Sequence, residues 1–359
     1  MSWVLAFAGF ALLIVLHEAG HFAAAKAVGM RVERFSLFFG KPLVSVRRGE
    51  TEYAVGPIPL GGYVKITGMN PREELAPAVA HRAYYRQPVW KRIVVISAGP
   101  AVNLVLAFAI LWGLLLVNGE RVSTQRVDSS GLEQPASRYL QPGDRIVSVD
   151  GTRGDATAIA RQVARHRCAG RPTDGCTATT AAHVVIERDG RQLSFDVRPR
   201  YDATPEVRRT RLGFRYAVAQ RSFGPAGAAG ESGELMWDVT TRTLTIFSRI
   251  FDAQERKQLS GVVGSYEVTR QSIGFSTSLA LYILALISLS LAIVNLFPFL
   301  PLDGGHIFWA LAEKVRGRAI PFSVMERASA IGFVLVVMIF LIGLTNDIDR
   351  LQNGGFDVR

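Results

Sequence analysis

The chain has 359 residues, of which 49% are hydrophobic and 20% are charged, and its formal net charge at pH 7 is +11. This composition is too apolar for a simple soluble enzyme and too charged for a compact bundle of membrane helices, so it predicts a mixed protein. No nucleic-acid-binding motif accompanies the positive charge, and an anionic lipid bilayer together with basic cytoplasmic loops accounts for it.

The first apolar run, from Trp3 to Ala25, contains the motif HEAGH at positions 17–21. On a helix, His17 and His21 lie one turn apart on the same face, where two imidazoles can share one zinc ion. Glu18 points in a neighbouring direction and can activate water instead of binding the metal, as in HExxH hydrolases. Ionisable groups at membrane depth cost about 2.5 kcal/mol or more each, so the motif favours a functional site over a chance match.

Three further apolar runs are long enough to cross a bilayer, which makes four predicted spans in total. They are Ile93 to Val117, Leu279 to Leu300 and Ala328 to Leu344. A polar block of about 160 residues, 118–278, separates the second predicted span from the third. That length is sufficient for a separately folded domain.

The short loops carry the charges that predict orientation in the membrane. Lys and Arg are frequent between the first two spans, in residues 26–92, and the loop after the third span contains Lys314, Arg316 and Arg318. Both loops are therefore predicted to be cytoplasmic. The expected location is the inner membrane, with the polar block extracytoplasmic and the active site toward the cytoplasmic side.

A second polar cluster at membrane depth, NLFPFLPLDGG at positions 295–305, offers the additional ligand that a two-histidine zinc site needs. Asp303 is the candidate, because two prolines interrupt the third span and the glycines after Asp303 allow close backbone approach. Asn295 could hydrogen-bond a substrate carbonyl, although hydrogen bonding between helices is an alternative. His306, beyond the double glycine, is an alternative ligand.

The order of these motifs resembles that of the site-2 protease family of intramembrane zinc metalloproteases, specifically its bacterial type with one extracytoplasmic PDZ domain. The motifs that carry the resemblance are HEAGH, PLGGYVK at 59–65, SAGPAVN at 97–103 and NLFPFLPLDGG. The resemblance implies Zn²⁺ bound by His17, His21 and Asp303, with Glu18 as general base. It also implies cleavage of single-pass membrane proteins that another protease has already cut, such as an anti-sigma factor or a remnant signal peptide.

The expected fold is a polytopic α-helical membrane protein with about four transmembrane helices, a membrane-associated β-hairpin segment and an inserted mixed α/β PDZ-like domain. The expected parts are an N-terminal membrane part at 1–118, the PDZ-like domain at 119–200, a linker at 201–277 and a C-terminal membrane part at 278–359. Within the PDZ-like part, residues 184–197 are predicted to form a hairpin closed by Asp189-Gly190. Cys168 and Cys176 could form a disulfide in an oxidising compartment.

The predicted linker contains apolar residues at approximately helical spacing, which indicates an interfacial amphipathic helix. These residues are Met236, Val239, Phe247, Ile250 and Phe251. Packing of this helix on the PDZ-like domain is an alternative arrangement.

Two other classes of function remain open from sequence alone. A catalytically silent membrane scaffold would use its PDZ-like domain to gather partners, and the intact HExxH motif together with Asp303 argues against it. A zinc-binding transporter would need further acidic or histidine residues along a pathway through the membrane, and the predicted spans offer few.

Overall fold

The computed structural model describes residues 2–70, 72–204, 207–249, 252 and 259–352. Contacts divide the chain into two compact units. The membrane unit consists of Met1–Val117 together with Gly224–Arg359, and the inserted unit consists of Asn118–Phe223. The inserted unit thus lies within the polar block that the sequence indicated.

The described α-helices are α1 Ser2–Ala27, α2 Pro77–Ala80, α3 Val89–Asn118, α4 Ala156–Val163, α5 Pro225–Ser248, α6 Val262–Phe275, α7 Thr277–Asn295, α8 Asp303–Arg316 and α9 Phe322–Gln352. Four of them, α1, α3, α7 and α9, are long and apolar enough to cross a membrane, as predicted. The third span ends at Asn295, before the predicted end at Leu300. Pro298 and Pro301 explain the earlier end, because proline disfavours helical backbone at the residue before it and has no N–H to donate.

Residues 32–66 form a four-stranded sheet, in the part of the chain where the sequence predicts a membrane-associated β-hairpin segment. The strands are β1 Val32–Phe39, β2 Val44–Arg48, β3 Thr51–Val55 and β4 Ile58–Ile66, and their order in the sheet is β2-β3-β1-β4. The β2–β3 pair is an antiparallel hairpin, whereas β1 runs parallel to β3 and antiparallel to β4. Val32 and Ile66 are buried in one cluster with Ala25 of α1 and Val95 of α3, so the sheet packs against the helices that carry the HEAGH and SAGPAVN motifs.

The inserted unit is built on a five-stranded antiparallel sheet in the order β11-β5-β6-β7-β8. Its strands are β5 Glu120–Val127, β6 Arg145–Val149, β7 Ala182–Arg188, β8 Arg191–Val197 and β11 Tyr216–Arg221, and a separate pair comprises β9 Arg200–Asp202 and β10 Arg209–Arg211. Ile159 and Val163 of α4 are buried in the core of this unit.

Two local predictions for the inserted unit are confirmed. Strands β7 and β8 form the expected hairpin, and both turn residues, Asp189 and Gly190, have positive φ, as a tight two-residue turn requires. Cys168 and Cys176, in the loop after α4, form a disulfide.

The inserted unit extends to Phe223, beyond the boundary expected at residue 200. Strand β11 lies in the segment that was assigned to the linker, yet it pairs with β5, the first strand of the unit. The pairing satisfies backbone groups along β5, and Leu212, just before β11, is buried in the core. Residues 201–223 therefore belong to the inserted unit.

The amphipathic helix expected in the linker is α5. Met236 and Val239 of this helix pack against a buried cluster formed by Ala107 of α3 and by Leu289 and Ile293 of α7. Its apolar side thus contacts helices of the membrane unit. Ile250 and Phe251, which the sequence assigned to the same helix, lie outside the described residues.

An ion pair in the inserted unit joins Asp144, just before β6, to Arg188, the last residue of β7. Arg188 donates two hydrogen bonds of 2.7 Å to the carboxylate of Asp144, which is 2% exposed. Burial alone would raise the pKa of Asp144, but the hydrogen bonds from Arg188 and from the Gln141 amide outweigh burial and lower this pKa. The folded state therefore binds the Asp144 proton less readily than the unfolded state does.

Substituting Arg188→Met is expected to destabilise the inserted unit by about 3 kcal/mol at neutral pH, because a buried carboxylate loses its cation. The wild-type stabilisation is present above the unfolded pKa of Asp144, near 3.9, and is lost as the pH falls through the lower folded-state pKa. The difference in free energy of unfolding between the variant and the wild type should therefore become smaller at acidic pH. Hydrogen-exchange protection of β6 and β7 in the full-length protein, measured against pH, checks this.

Arg145→Met is the matched control, because it removes an ion pair of 3.3 Å with Glu187 in which both side chains are largely exposed. Its expected cost is about 0 to 1 kcal/mol. Equal losses of protection in the two variants would contradict the role assigned to the Arg188–Asp144 pair.

Candidate active site

Two histidines of α1 and the first residue of α8 meet inside the membrane unit. His17 Nε2 lies 3.3 Å from His21 Nε2, and each of these nitrogens lies 3.3 Å from Asp303 Oδ2. Both histidines are 7% exposed. The structure thus brings together the three residues that the sequence indicated as metal ligands.

The spacing of these three atoms fits a zinc ion. Tetrahedral zinc with bonds of about 2.0 to 2.1 Å places neighbouring ligand atoms about 3.3 to 3.4 Å apart. Asp303 Oδ2 is buried and has no hydrogen-bond partner among the described residues, an arrangement that costs free energy unless a cation or donor compensates it. Two imidazole nitrogens and one carboxylate oxygen also form a ligand set that zinc accepts.

Glycines allow α1 and α3 to approach each other at the histidines. A Cβ atom on Gly99 of α3 would lie 2.3 Å from His21 Nε2. A Cβ atom on Gly20 of α1 would lie 2.6 Å from the carbonyl oxygen of Ala98. Any larger side chain at either position would have to separate the helices or displace the imidazole.

Two further glycines bring the start of α8 against the end of α7. A Cβ atom on Gly304 would lie 2.2 Å from the carbonyl oxygen of Leu296. A Cβ atom on Gly305 would lie 2.4 Å from the backbone nitrogen of Leu300. Close packing of this turn places Asp303 beside the two histidines. The DGG sequence thus supplies the Asp303 carboxylate and, through its two glycines, the close backbone packing that positions it.

Helix α3 supplies partners for the outer nitrogens of both histidines. His21 Nδ1 donates to the carbonyl oxygen of Val95 at 2.8 Å, so the lone pair of His21 lies on Nε2, which faces the cluster. Asn103 is fully buried, and its Nδ2 lies 3.1 Å from His17 Nδ1. No role was predicted for Asn103, although an amide inside an apolar span is a signal of hydrogen bonding between helices.

The predicted general base and the predicted substrate-binding residue lie beside the cluster. Glu18 is half-buried, and a Cβ atom on Gly62 of β4 would lie 2.9 Å from Glu18 Cγ, so β4 passes next to this side chain. Asn295 is the last residue of α7, and its Nδ2 lies 3.5 Å from His17 Nε2. His306 is not part of the metal-ligand group found among the described residues.

A buried ion pair holds α8 against α3. Arg92 donates to both carboxylate oxygens of Glu313, at 2.9 and 2.6 Å, and Arg92 is 8% exposed. This bidentate geometry is specific to the planar guanidinium group. Because Asp303 begins α8 and α3 contacts both histidines, the pair connects the helix that supplies Asp303 with the helix that contacts His17 and His21.

The chain is similar to known proteins over most of its length. Residues 5–339 match the model of peptidase family M50. The zinc metalloprotease Rip1 of Mycobacterium tuberculosis is 31% identical, in an alignment that covers 93% of this chain and 94% of the relative. Rip1 of Mycolicibacterium smegmatis is 30% identical, with 84% of this chain and 83% of the relative covered.

Proposed function

This chain belongs to peptidase family M50, the site-2 protease family, and is a zinc metalloprotease; from this premise we propose that it hydrolyses peptide bonds within transmembrane segments of single-pass membrane proteins. The observation that carries the proposal is that His17 and His21 lie on α1, a helix long and apolar enough to span a membrane. A hydrolytic centre at that depth would meet peptide bonds within the bilayer. The family membership also favours an enzyme over the silent scaffold and the transporter.

In the proposed reaction, His17, His21 and Asp303 would hold zinc, and the bound ion would supply a Lewis acid for the scissile carbonyl group. Glu18 takes a proton from the attacking water and later delivers it to the leaving nitrogen. Asn295 donates a hydrogen bond to the substrate backbone and holds it beside the histidines. The closeness of Asn295 to His17 supports this role.

Strand β4 is proposed to present the substrate to Glu18. A peptide bond within a helix is shielded by the helix, so the substrate must become extended before hydrolysis. Among the described strands, β4 pairs only with β1, and Gly62 within β4 adjoins Glu18. An extended segment could add to the other edge of β4, in the same sheet that adjoins Glu18.

The inserted unit is proposed to be a PDZ-like domain on the extracytoplasmic side of the inner membrane, with the active site toward the cytoplasm. The Lys- and Arg-rich loops after the first and third spans support this orientation. The five-stranded sheet with α4 against its core supports the domain type. Its proposed role is to exclude membrane proteins whose ectodomains have not yet been removed by another protease.

A single-span substrate with a trimmed ectodomain is expected to be cleaved about tenfold faster than the same segment attached to a folded ectodomain, a difference of about 1.4 kcal/mol in activation free energy. The measurement is the initial rate of cleavage in one preparation of proteoliposomes. An anti-sigma factor and a remnant signal peptide are the proposed trimmed substrates. Equal cleavage rates for the trimmed and untrimmed forms would contradict the proposed exclusion of intact ectodomains. Failure to cleave either form would contradict the proposed function.

A further inference from the structure

Asn103 has an unusual position for an amide side chain. It lies in the apolar helix α3 and is fully buried, and its backbone carbonyl accepts a hydrogen bond of 2.9 Å from Ser288 Oγ of α7. Its side-chain nitrogen lies 3.1 Å from His17 Nδ1. Its side-chain oxygen, Oδ1, is buried and has no hydrogen-bond partner among the described residues. A buried carbonyl oxygen without a donor costs free energy. The orientation of the Asn103 amide therefore determines which of its two polar atoms bonds to His17.

The orientation of the amide determines which nitrogen of His17 carries the proton. If Asn103 donates from Nδ2, then His17 Nδ1 is the acceptor, and the proton of the neutral imidazole must lie on Nε2. Nε2 is the atom that faces His21 and Asp303. A protonated Nε2 has no lone pair for a metal, so this orientation of the amide is incompatible with a zinc ligand at His17.

A half-turn of the same amide reverses this relation. The half-turn exchanges the oxygen and nitrogen positions of a primary amide with almost no change in shape. Nδ2 then takes the place that Oδ1 had, while Oδ1 accepts from His17 Nδ1–H and leaves the Nε2 lone pair for the metal. His21 already has the matching arrangement, because the Val95 carbonyl oxygen can only accept and therefore requires the proton on Nδ1.

We propose that Asn103 is a positioning residue whose side-chain oxygen accepts a hydrogen bond from His17 Nδ1 and so holds His17 in the tautomer that binds zinc. This inference rests on the proposed role of His17 as a ligand. Helix α3 would then orient both histidines, His21 through the backbone at Val95 and His17 through the side chain of Asn103.

Two substitutions of similar size separate an acceptor role from a donor role. Asn103→Asp keeps an acceptor oxygen and removes the donor, whereas Asn103→Leu removes both. Zinc affinity of the full-length protein in detergent, measured by competition with a chelator, is expected to fall about 10- to 100-fold in Asn103→Leu, the usual effect of losing a partner of a ligating histidine. Asn103→Asp should keep an affinity close to that of wild type.

Wild-type zinc affinity in Asn103→Leu would overturn the inference. A loss of zinc affinity in Asn103→Asp as large as that in Asn103→Leu would overturn it as well. The unfolding temperature in excess chelator is measured alongside, because a merely structural role would lower this temperature without changing zinc affinity. If the buried carboxylate of Asn103→Asp prevents folding, Asn103→Ser and Asn103→Ala form a second pair, in which only serine provides an acceptor and should bind zinc more tightly. His17→Ala is the separate check, because wild-type affinity in that variant would contradict the ligand set rather than the role of Asn103.

Discussion

Replacing Glu18 by Gln is expected to remove peptide hydrolysis and to leave zinc bound. Glutamine has nearly the same shape but cannot take a proton from water, and loss of a positioned general base lowers rates by about 10²- to 10⁴-fold. Zinc should remain, because the three ligand atoms on His17, His21 and Asp303 are unchanged. The rate of cleavage of a single-span substrate and the zinc content of the purified variant are measured together.

Glu52→Gln is a suitable control for this substitution. Glu52 lies on β3, where it pairs with Arg34 at 2.8 Å, outside the His-His-Asp group. The control should cleave as wild type does. Cleavage by Glu18→Gln at the wild-type rate would rule out Glu18 as the general base, and loss of zinc in that variant would assign Glu18 a part in metal binding instead.

Substituting Gly99→Ala is expected to remove most of the zinc. The added Cβ would lie 2.3 Å from His21 Nε2, so either the imidazole or the whole of α3 must shift. Changes that only touch the partners of ligands cost about 10- to 100-fold in affinity, and displacement of a ligand atom should cost at least the upper end of that range. Chelator competition on the purified variant measures this loss, and cleavage should fall with it.

Gly113→Ala provides the matched control on the same helix, because a Cβ at Gly113 would have no heavy atom of another part of the chain within 4 Å. Alanine is the better helix former by about 0.5 to 1 kcal/mol, so this variant should fold and bind zinc normally. Tight zinc binding by Gly99→Ala would show that α1 and α3 are not packed as closely as this site requires.

The grouping of His17, His21 and Asp303 could be predicted from sequence because the motifs that carry these residues are local signals. HEAGH places two imidazoles on one helix face by spacing alone, and the DGG motif marks a carboxylate next to a close backbone approach. The apolar runs likewise predicted the four candidate spans. The ends of the spans were less accurate, since Pro298 and Pro301 end α7 at Asn295 within an apolar run.

Several contacts between distant segments were not predicted. Asn103 and His17 are separated by 86 positions, and the Arg92–Glu313 pair by 221, so their proximity follows from helix packing rather than from any local pattern. The end of the inserted unit was missed for the same reason, because β11 is recognisable only through its pairing with β5. The parallel pairing of β1 with β3 also has no local sequence signature.

The central claim is tested most directly by mapping the position of the cut. The purified protein is placed in lipid vesicles with a single-span substrate, and the products are identified by mass spectrometry with zinc present, after chelation and after zinc is restored. We predict cuts within the apolar transmembrane segment that disappear on chelation and return with zinc. Cuts confined to the water-exposed flanks of the substrate, or cleavage that persists without zinc, would contradict a zinc-dependent protease acting within the membrane.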